Sequence, residues 1–460
     1  MYAIITISIV AIIILILGSL GKKTPLLPII YIGLVAAFAV NLLGWDAPQH
    51  LYNEMFIADN FSKAFGAVLI FTTLFVFIFA PVYYKPVKRP LEDTYALILF
   101  ALVGALIMLA FGNLLMLFIG IETLSLSLYI LAGSKKRDPN SNEAAMKYFL
   151  TGSFASGFLL FGIALIYGAC GNLNLEIINQ YVTLHQSAIP AMLNIGILLV
   201  IIGMTFKIGA APFHFWAPDV YEGAPTLITT FMATVGKVAA VAAFFRLMQA
   251  SFADIANLWT VTLTVFAMAT ILIGNLTALK QDNVKRMFAY SGIAHAGYML
   301  IAIITLKGNA ASVLLFYSMS YTIATITAFA VLILVREETG TFMIKAFNGL
   351  AKRNPTEAFA MTIAMLSLAG IPPLVGFAAK YNLFITAIEQ GHLPLIIVAI
   401  TGSVISIFFY MRPIIAMYVN KQPDDRIIES SNIYKRQIEL AGILMILLGL
   451  LPALFVNLVL

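Results

Sequence analysis

Residues 203–237 read GMTFKIGAAPFHFWAPDVYEGAPTLITTFMATVGK, and the architecture of the chain follows from them. The stretch lies in the middle of an apolar sequence yet holds what hydrocarbon excludes. Lys207 and Lys237 each sit inside a hydrophobic run, and between them come Pro212, His214, Pro218, Asp219, Glu222 and Pro225. A helix entering near Asn194 carries Lys207 deep into a bilayer before Pro212 breaks it. A second helix, starting near Ala224, carries Lys237 to similar depth. Charges inside a membrane are costly and by default mark ion or proton pathways. A broken helix at that depth is tolerated only where it is buried in protein or lines a cavity. The functional site is expected here.

Outward from this stretch the composition is that of a membrane protein. Hydrophobic residues are 61% of the 460 and charged residues 10%, where a soluble domain has about 25% charged. No segment is large enough to form a separate water-soluble domain. The net charge of +6 is read as loop lysines and arginines facing anionic lipid rather than nucleic acid. One cysteine, Cys170, allows no intrachain disulfide and no cysteine-held cluster. The five histidines, at positions 50, 185, 214, 295 and 392, show no metal-ligand spacing. The N-terminal run, residues 2–20, lacks a basic stretch ahead of it and is long enough to span, so it reads as a retained helix rather than a signal peptide.

The predicted fold class is all-α: a polytopic membrane protein of about 14 transmembrane helices, each of the shorter ones matching the roughly twenty residues needed to cross. The spans fall near 2–20, 25–43, 63–84, 94–112, 114–132, 147–168, 190–220, 224–246, 257–279, 286–305, 311–335, 355–390, 394–419 and 437–458. Of the 27 Lys and Arg, Lys207, Lys237 and Lys380 are intramembrane, and alternation of the loops puts Lys63, Arg246 and Lys307 on one side. The other twenty-one fall on the opposite side, which the positive-inside rule makes cytoplasmic, with both termini outside.

Two spans, the seventh and the twelfth, are too long. As straight helices 190–220 and 355–390 reach about 45–55 Å against a hydrocarbon core of about 30 Å. The first contains Pro212 and the second Pro372-Pro373, and each carries a lysine near its break, Lys207 or Lys380. An odd offset of five spans gives units of opposite orientation. Matching interrupted segments point to inverted repeats with a site at the interruption. The expected organisation is a three-helix segment over 1–93, a first repeat over 94–246 (spans 4–8), a second, inverted repeat over 257–420 (spans 9–13) and a C-terminal helix within 421–460.

The remaining buried charge is Glu122, inside the fifth span. A lone carboxylate at that depth would neutralise, so a lysine is its expected partner. Pairing favours both charged forms and desolvation opposes them. Groups balanced in this way can take up and release a proton when the partner moves. The plainer alternative for Glu122, Lys207, Lys237 and Lys380 is a set of static pairs that fix helix packing. His295 and His214 are read either as relay members or as histidines hydrogen-bonded within the bundle. Lys147, Lys285, Arg286 and Arg412 are expected to snorkel from helix ends. Asp219 and Glu222 are expected to cap a loop. The steps Gly152, Ser153, Ser156 and Gly157 are expected to form a helix-packing face.

Several motifs are long and specific. PFHFWAPDVYEGAPT (212–226), preceded by FKIGA, resembles the seventh-helix region of the antiporter-like subunits of respiratory NADH–quinone oxidoreductase, complex I, and its N-type members most closely. So do ETLSLSLYILAG (122–133), SNEAAMKYF (141–149), QDNVKRMFAYSGIAHAGY (281–298) and LAGIPPLVGFAAKYNLF (368–384). The resemblance implies fourteen helices, two inverted five-helix units and breaks in helices seven and twelve. It places the family's fifth-helix glutamate at Glu122, its seventh-helix lysine at Lys207, its eighth-helix lysine at Lys237 and its twelfth-helix position at Lys380. A lysine at that last position favours the N type over the M type. The end at Leu460 leaves no room for the lateral helix of the L type.

The function implied is proton translocation across a bacterial plasma (inner) membrane, coupled to electron transfer from NADH to quinone elsewhere in the complex. The alternatives are a subunit of a multisubunit cation/proton antiporter or of an energy-converting hydrogenase, and a structural scaffold. The chain has no GxGxxG in a strand–helix unit, no P-loop and no cysteine cluster. It is therefore expected to carry no redox chemistry and to bind no cofactor. The resemblance assigns NADH, FMN, iron–sulfur clusters and quinone to partner subunits. The expected partners are other membrane subunits of the complex and lipid, with no nucleic acid.

Overall fold

A computed structural model of the chain describes residues 1–20, 25–85, 90–306, 308–420 and 432–452. Lys22 and Lys307, which enter the charge count, lie outside these residues, as do 421–431 and 453–460 of the C-terminal segment. The described chain is all-α apart from one short hairpin, and it is a multi-pass membrane protein. The order is α1 (Tyr2–Ser19), α2 (Leu26–Asn41), the hairpin β1–β2 (Gln49–Leu51, Phe56–Ala58), α3 (Asn60–Tyr83), α4 (Glu92–Ala110), α5 (Leu114–Ala132) and α6 (Pro139–Cys170). Then come α7 (Leu175–Leu184), α8 (Ala191–Ile208), α9 (Trp216–Gly223), α10 (Thr226–Phe231), α11 (Lys237–Ser251), α12 (Ala256–Ala278), α13 (Val284–Thr305) and α14 (Ala310–Thr339). The chain ends with α15 (Leu350–Arg353), α16 (Pro355–Ala369), α17 (Val375–Glu389), α18 (Leu393–Tyr418) and α19 (Asn432–Leu450). Among the described residues, 11 helices are long and apolar enough to cross a membrane, and α2 and α16 are shorter apolar helices.

Local chemistry sets the boundaries. Asp59 and Ser62 form a capping box at the start of α3. Asn113, Asp138 and Asn283 cap α5, α6 and α13 through their side chains. Gly209 and Gly370, both with positive φ, close α8 and α16 at the two interruptions. Between α10 and α11, residues Met232–Gly236 form a π-helical turn that ends at Lys237; such turns recur at functional sites.

Burial runs from rim to centre. The apolar window of α10–α11 is 100% buried, that of α13 94% and that of α14 89%, against 28% for α1 and 39% for α6, α12 and α18. Lipid gives apolar helices no reason to associate, so close backbone approach must hold them. Gly162 on α6 and Gly196 on α8 face each other so tightly that a Cβ on either would lie 2.8–3.0 Å from the other's carbonyl oxygen. Gly104 and Gly120 do the same for α4 and α5, and Gly274 packs on the backbone of Ala294 between α12 and α13.

The structure adds two elements to the expected spans. The hairpin β1–β2 fills the connection before α3, and α7 is a short amphipathic helix between α6 and α8 with Leu175, Ile178 and Val182 turned inward. Helix α6 also begins eight residues before the expected sixth span, bringing Glu143 and Lys147 onto one helical face.

Candidate functional site

The first interruption leaves helix-end groups to be satisfied at membrane depth. Ala210 N–H donates to Thr205 O, Ala211 N–H to Thr270 Oγ1 on α12, and Trp216 Nε1 to Phe206 O, at 2.9, 2.9 and 3.2 Å. Lys207 occupies the last turn of α8, with its side chain 7% exposed. Its Nζ donates to Ser125 Oγ at 3.0 Å and to Ser156 Oγ at 3.3 Å, with Tyr129 OH at 3.5 Å. Glu122 Oε1 is 4.0 Å away, and Ser156 Oγ donates to it at 2.5 Å. Glu122 and Lys207 thus share one site, with a serine between them. Ser156, expected to belong to a packing face, instead presents its hydroxyl to both charges.

Lys237 opens α11 and is 5% exposed. It makes no ion pair among the described residues. Its Nζ donates to Gly292 O on α13 at 2.5 Å and lies 6.0 Å from the Tyr221 ring and 5.9 Å from the Tyr321 ring. A Cβ at Gly292 would come within 2.8 Å of that Nζ, so the glycine is what admits the lysine. Lys207 and Lys237 line one cavity of about 20 Å³ with Ser125, Tyr148, Trp216 and Tyr221, large enough for a single water.

The series continues across the bundle. His295 lies beside the same Tyr321, 4.9 Å between ring centroids. Its Nδ1 is 2.8 Å from Tyr317 OH and its Nε2 3.3 Å from Tyr410 OH, and the Tyr410 hydroxyl bonds Ser291. Tyr298 lies between His295, 5.8 Å from its ring, and Lys380, whose Nζ is 4.8 Å from the Tyr298 centroid. Lys380 is on α17, after the second interruption, and donates back to Leu368 O, Ala369 O and Ser403 Oγ at 3.1, 3.0 and 2.7 Å. It therefore caps the carbonyl end of α16, as a cation at a helix C-terminus does. His214 stands apart from this series: its ring packs on Phe215 and its Nδ1 has no hydrogen bond among the described residues.

At the end of the bundle that carries the connection between α5 and α6, charges gather around a cavity of about 230 Å³. Asp219 accepts from Lys147 at 2.7 Å and from Arg286 at 3.0 Å, Glu222 accepts from Arg286 at 2.6 Å, and Glu143 meets Lys147 at 2.7 Å. Asp219 and Glu222 are therefore not loop caps but ion-pair partners tying α9 to α6 and α13. Lys147 and Arg286 do not simply snorkel, and Arg412 is bound to Asp282 and to the carbonyls of Leu279 and Gln281. Lys285 departs furthest from expectation. It is 1% exposed, and its Nζ donates to Glu222 O and Ala224 O, the carbonyls freed where α9 ends. Tyr148, Trp216 and Tyr221 line the inner cavity, with Trp216 stacked on Tyr148 at 4.7 Å, and Lys147 and Glu222, the chain neighbours of Tyr148 and Tyr221, line the outer one.

The tyrosines and serines were not read from sequence as site residues. Ser125 and Ser156 carry a faint signal, since each is a hydroxyl inside an apolar span near a charge. Tyr317, Tyr321 and Tyr410 look like ordinary residues of buried helices.

Residues 112–406, which include every one of these lysines and histidines, match the family described as NADH:quinone oxidoreductase/Mrp antiporter, TM. The chain belongs to this family. Within it, the chain is 43% identical over 452 residues to NADH-quinone oxidoreductase subunit N of Flavobacterium psychrophilum, covering 98% of each. It is 42% identical over 453 residues to that of Cytophaga hutchinsonii, again 98% of each. Among solved structures of NADH:quinone oxidoreductase/Mrp-type proteins, a chain of respiratory complex I from Thermus thermophilus superposes with a TM-score of 0.85 at 32% identity, over 99% and 98% of the two chains. A chain of the Mrp complex from a Dietzia species has the same fold, with a TM-score of 0.89 at 20% identity, over 99% and 95%.

Proposed function

We propose that this chain is the N-type membrane subunit of a bacterial NADH–quinone oxidoreductase and moves protons across the plasma membrane as the complex reduces quinone. The observation that carries the reading is the series of titratable and hydroxyl groups, linked by hydrogen bonds, ring contacts and one shared cavity, from Glu122 and Lys207 at the first interruption to Lys380 at the second. Buried lysines held by hydroxyls and carbonyls can exchange protons, which a purely structural charge need not do. The site residues are Glu122, Lys207, Lys237 and Lys380, with His295 as a further member. His214 belongs to the break but not to the series. The organisation proposed is a leading segment over 1–93, two inverted repeats over 94–246 and 257–420, and a closing helix within 421–460. No redox group is assigned to this chain: NADH, FMN, iron–sulfur clusters and quinone belong to partner subunits. Its partners are the other membrane subunits of the complex, and lipid covers the rest.

A second reading, a subunit of a cation/proton antiporter, draws on the fold shared with the Mrp complex. The two separate by ion requirement. In inverted vesicles holding the complete complex, NADH should drive acidification at the same rate with sodium absent or at about 50 mM, with potassium holding the ionic strength constant so that screening does not change. A rate that collapses without sodium would replace proton pumping by exchange.

The orientation proposed puts both termini outside and the ion-paired outer cavity on the cytoplasmic side, where it would load protons toward Lys207. Lys136 is exposed in the connection between α5 and α6. With Cys170 replaced by serine, Lys136→Cys should react with a membrane-impermeant maleimide in inverted vesicles and not in intact cells. Labelling in intact cells would reverse the topology.

A further inference from the structure

Ser156 is the one side chain among the described residues with a hydrogen bond to each charge of the first pair. It donates to Glu122 Oε1 at 2.5 Å and accepts from Lys207 Nζ at 3.3 Å, whereas the two charged atoms are 4.0 Å apart. Proton transfer needs donor and acceptor within about 2.6–3.2 Å, or one intermediary, so the direct route is too long and the route through the hydroxyl is close to contact. Ser125 holds the lysine at 3.0 Å and Tyr129 at 3.5 Å, but neither has a hydrogen bond to the carboxylate. The packing supports the bridge. Gly152, one turn before Ser156 on α6, lies so close to Tyr129 that a Cβ would be 2.0 Å from its hydroxyl. The small residues of α6 thus let α5 and α8 close around the serine.

We propose that Ser156 is a proton bridge between Lys207 and Glu122. One proton leaves Lys207 Nζ for Ser156 Oγ while the serine's own hydroxyl proton passes to Glu122 Oε1. The products are a neutral amine, a neutral carboxylic acid and an intact serine, and the reverse transfer restores the ion pair. No isolated ion forms in the low-dielectric interior at any point, which is what makes the exchange affordable there. The bridge rests on the reading of Glu122 and Lys207 as proton carriers.

The test uses the assembled complex in its membrane. Ser156→Ala should assemble normally and lose roughly tenfold or more of NADH-driven pumping, in line with the about 10²–10⁴-fold that a positioned proton-transfer group contributes. Its solvent deuterium isotope effect should rise, since the transfer becomes limiting, and a purely structural serine would not produce that change. Ser156→Thr keeps the hydroxyl and Ser156→Val has the same shape without it. Thr active and Val inactive is the expected result, and equal activity of the two, high or low, overturns the bridge. Glu122→Ala measured beside them separates the two levels. Normal pumping there would sink the pair itself, whereas an inactive Glu122→Ala with an active Ser156→Val sinks only the bridge.

Discussion

Lys237→Arg should yield a complex that assembles to the wild-type level, oxidises NADH with artificial acceptors, and transfers protons roughly tenfold or more slowly. Arginine keeps the positive charge but is effectively never deprotonated, so the substitution separates exchange of a proton from presence of a charge. The surroundings make the separation sharp. Lys237 makes no ion pair among the described residues and is held by the Gly292 carbonyl, which accepts a hydrogen bond but cannot accept a proton. A scaffold role needs only a donor at that position, and a guanidinium supplies several. The larger head group must fit beside Gly292, where even a methyl would lie 2.8 Å from the present Nζ, so the assembled fraction has to be measured in the same membranes. Wild-type pumping by assembled Lys237→Arg would remove Lys237 from the proton path.

Glu122→Ala should abolish pumping and most coupled quinone reduction while leaving the complex assembled. Removing one partner of a buried pair costs about 3–5 kcal/mol when burial is complete. Here the cost is lower, because the Glu122 side chain is 25% exposed and Lys207 retains Ser125, Ser156 and Tyr129 as partners. That residual solvation is why loss of transport rather than loss of assembly is expected. Membranes of the variant that pumped at the parent rate, measured by dye quenching on NADH addition, would leave the pair without a transport role.

Breakers and charges were legible because they are exceptions in an apolar sequence. Pro212, Pro372-Pro373, Lys207, Lys237, Lys380 and Glu122 each interrupt a pattern, and the helix ends at Ile208 and Ala369 fall where those prolines require. What the letters concealed was which face a residue turns and toward whom. Ser156 sits among glycines and serines that serve equally as a packing stripe, and only the register of α6 against α5 aims its hydroxyl at Glu122. Lys285 lies at the start of α13, where a lysine ordinarily reaches for water. The carbonyls that hold it come from the end of α9, about sixty residues earlier in the chain. Helix α7 is too short for a crossing and its amphipathic pattern merges with the flanking loops.

The two interruptions look alike in sequence and differ as mechanical joints. At the second, α19 lies directly against the gap, and a Cβ on Gly449 would be 2.2 Å from Pro373 O, while Gly376 would meet Ser367 O at 1.7 Å. That joint is packed closely by backbone of α16 and α19. At the first, the Ala211 N–H is tied by one hydrogen bond to Thr270, and Phe215 is 76% exposed at the rim of the bundle. Close backbone contact is therefore unequally shared between the two. The joint beside Lys380 leans on backbone of α16 and α19, whereas the joint beside Lys207 is latched by hydrogen bonds to α8 and α12, so one sequence device is locked in two different ways.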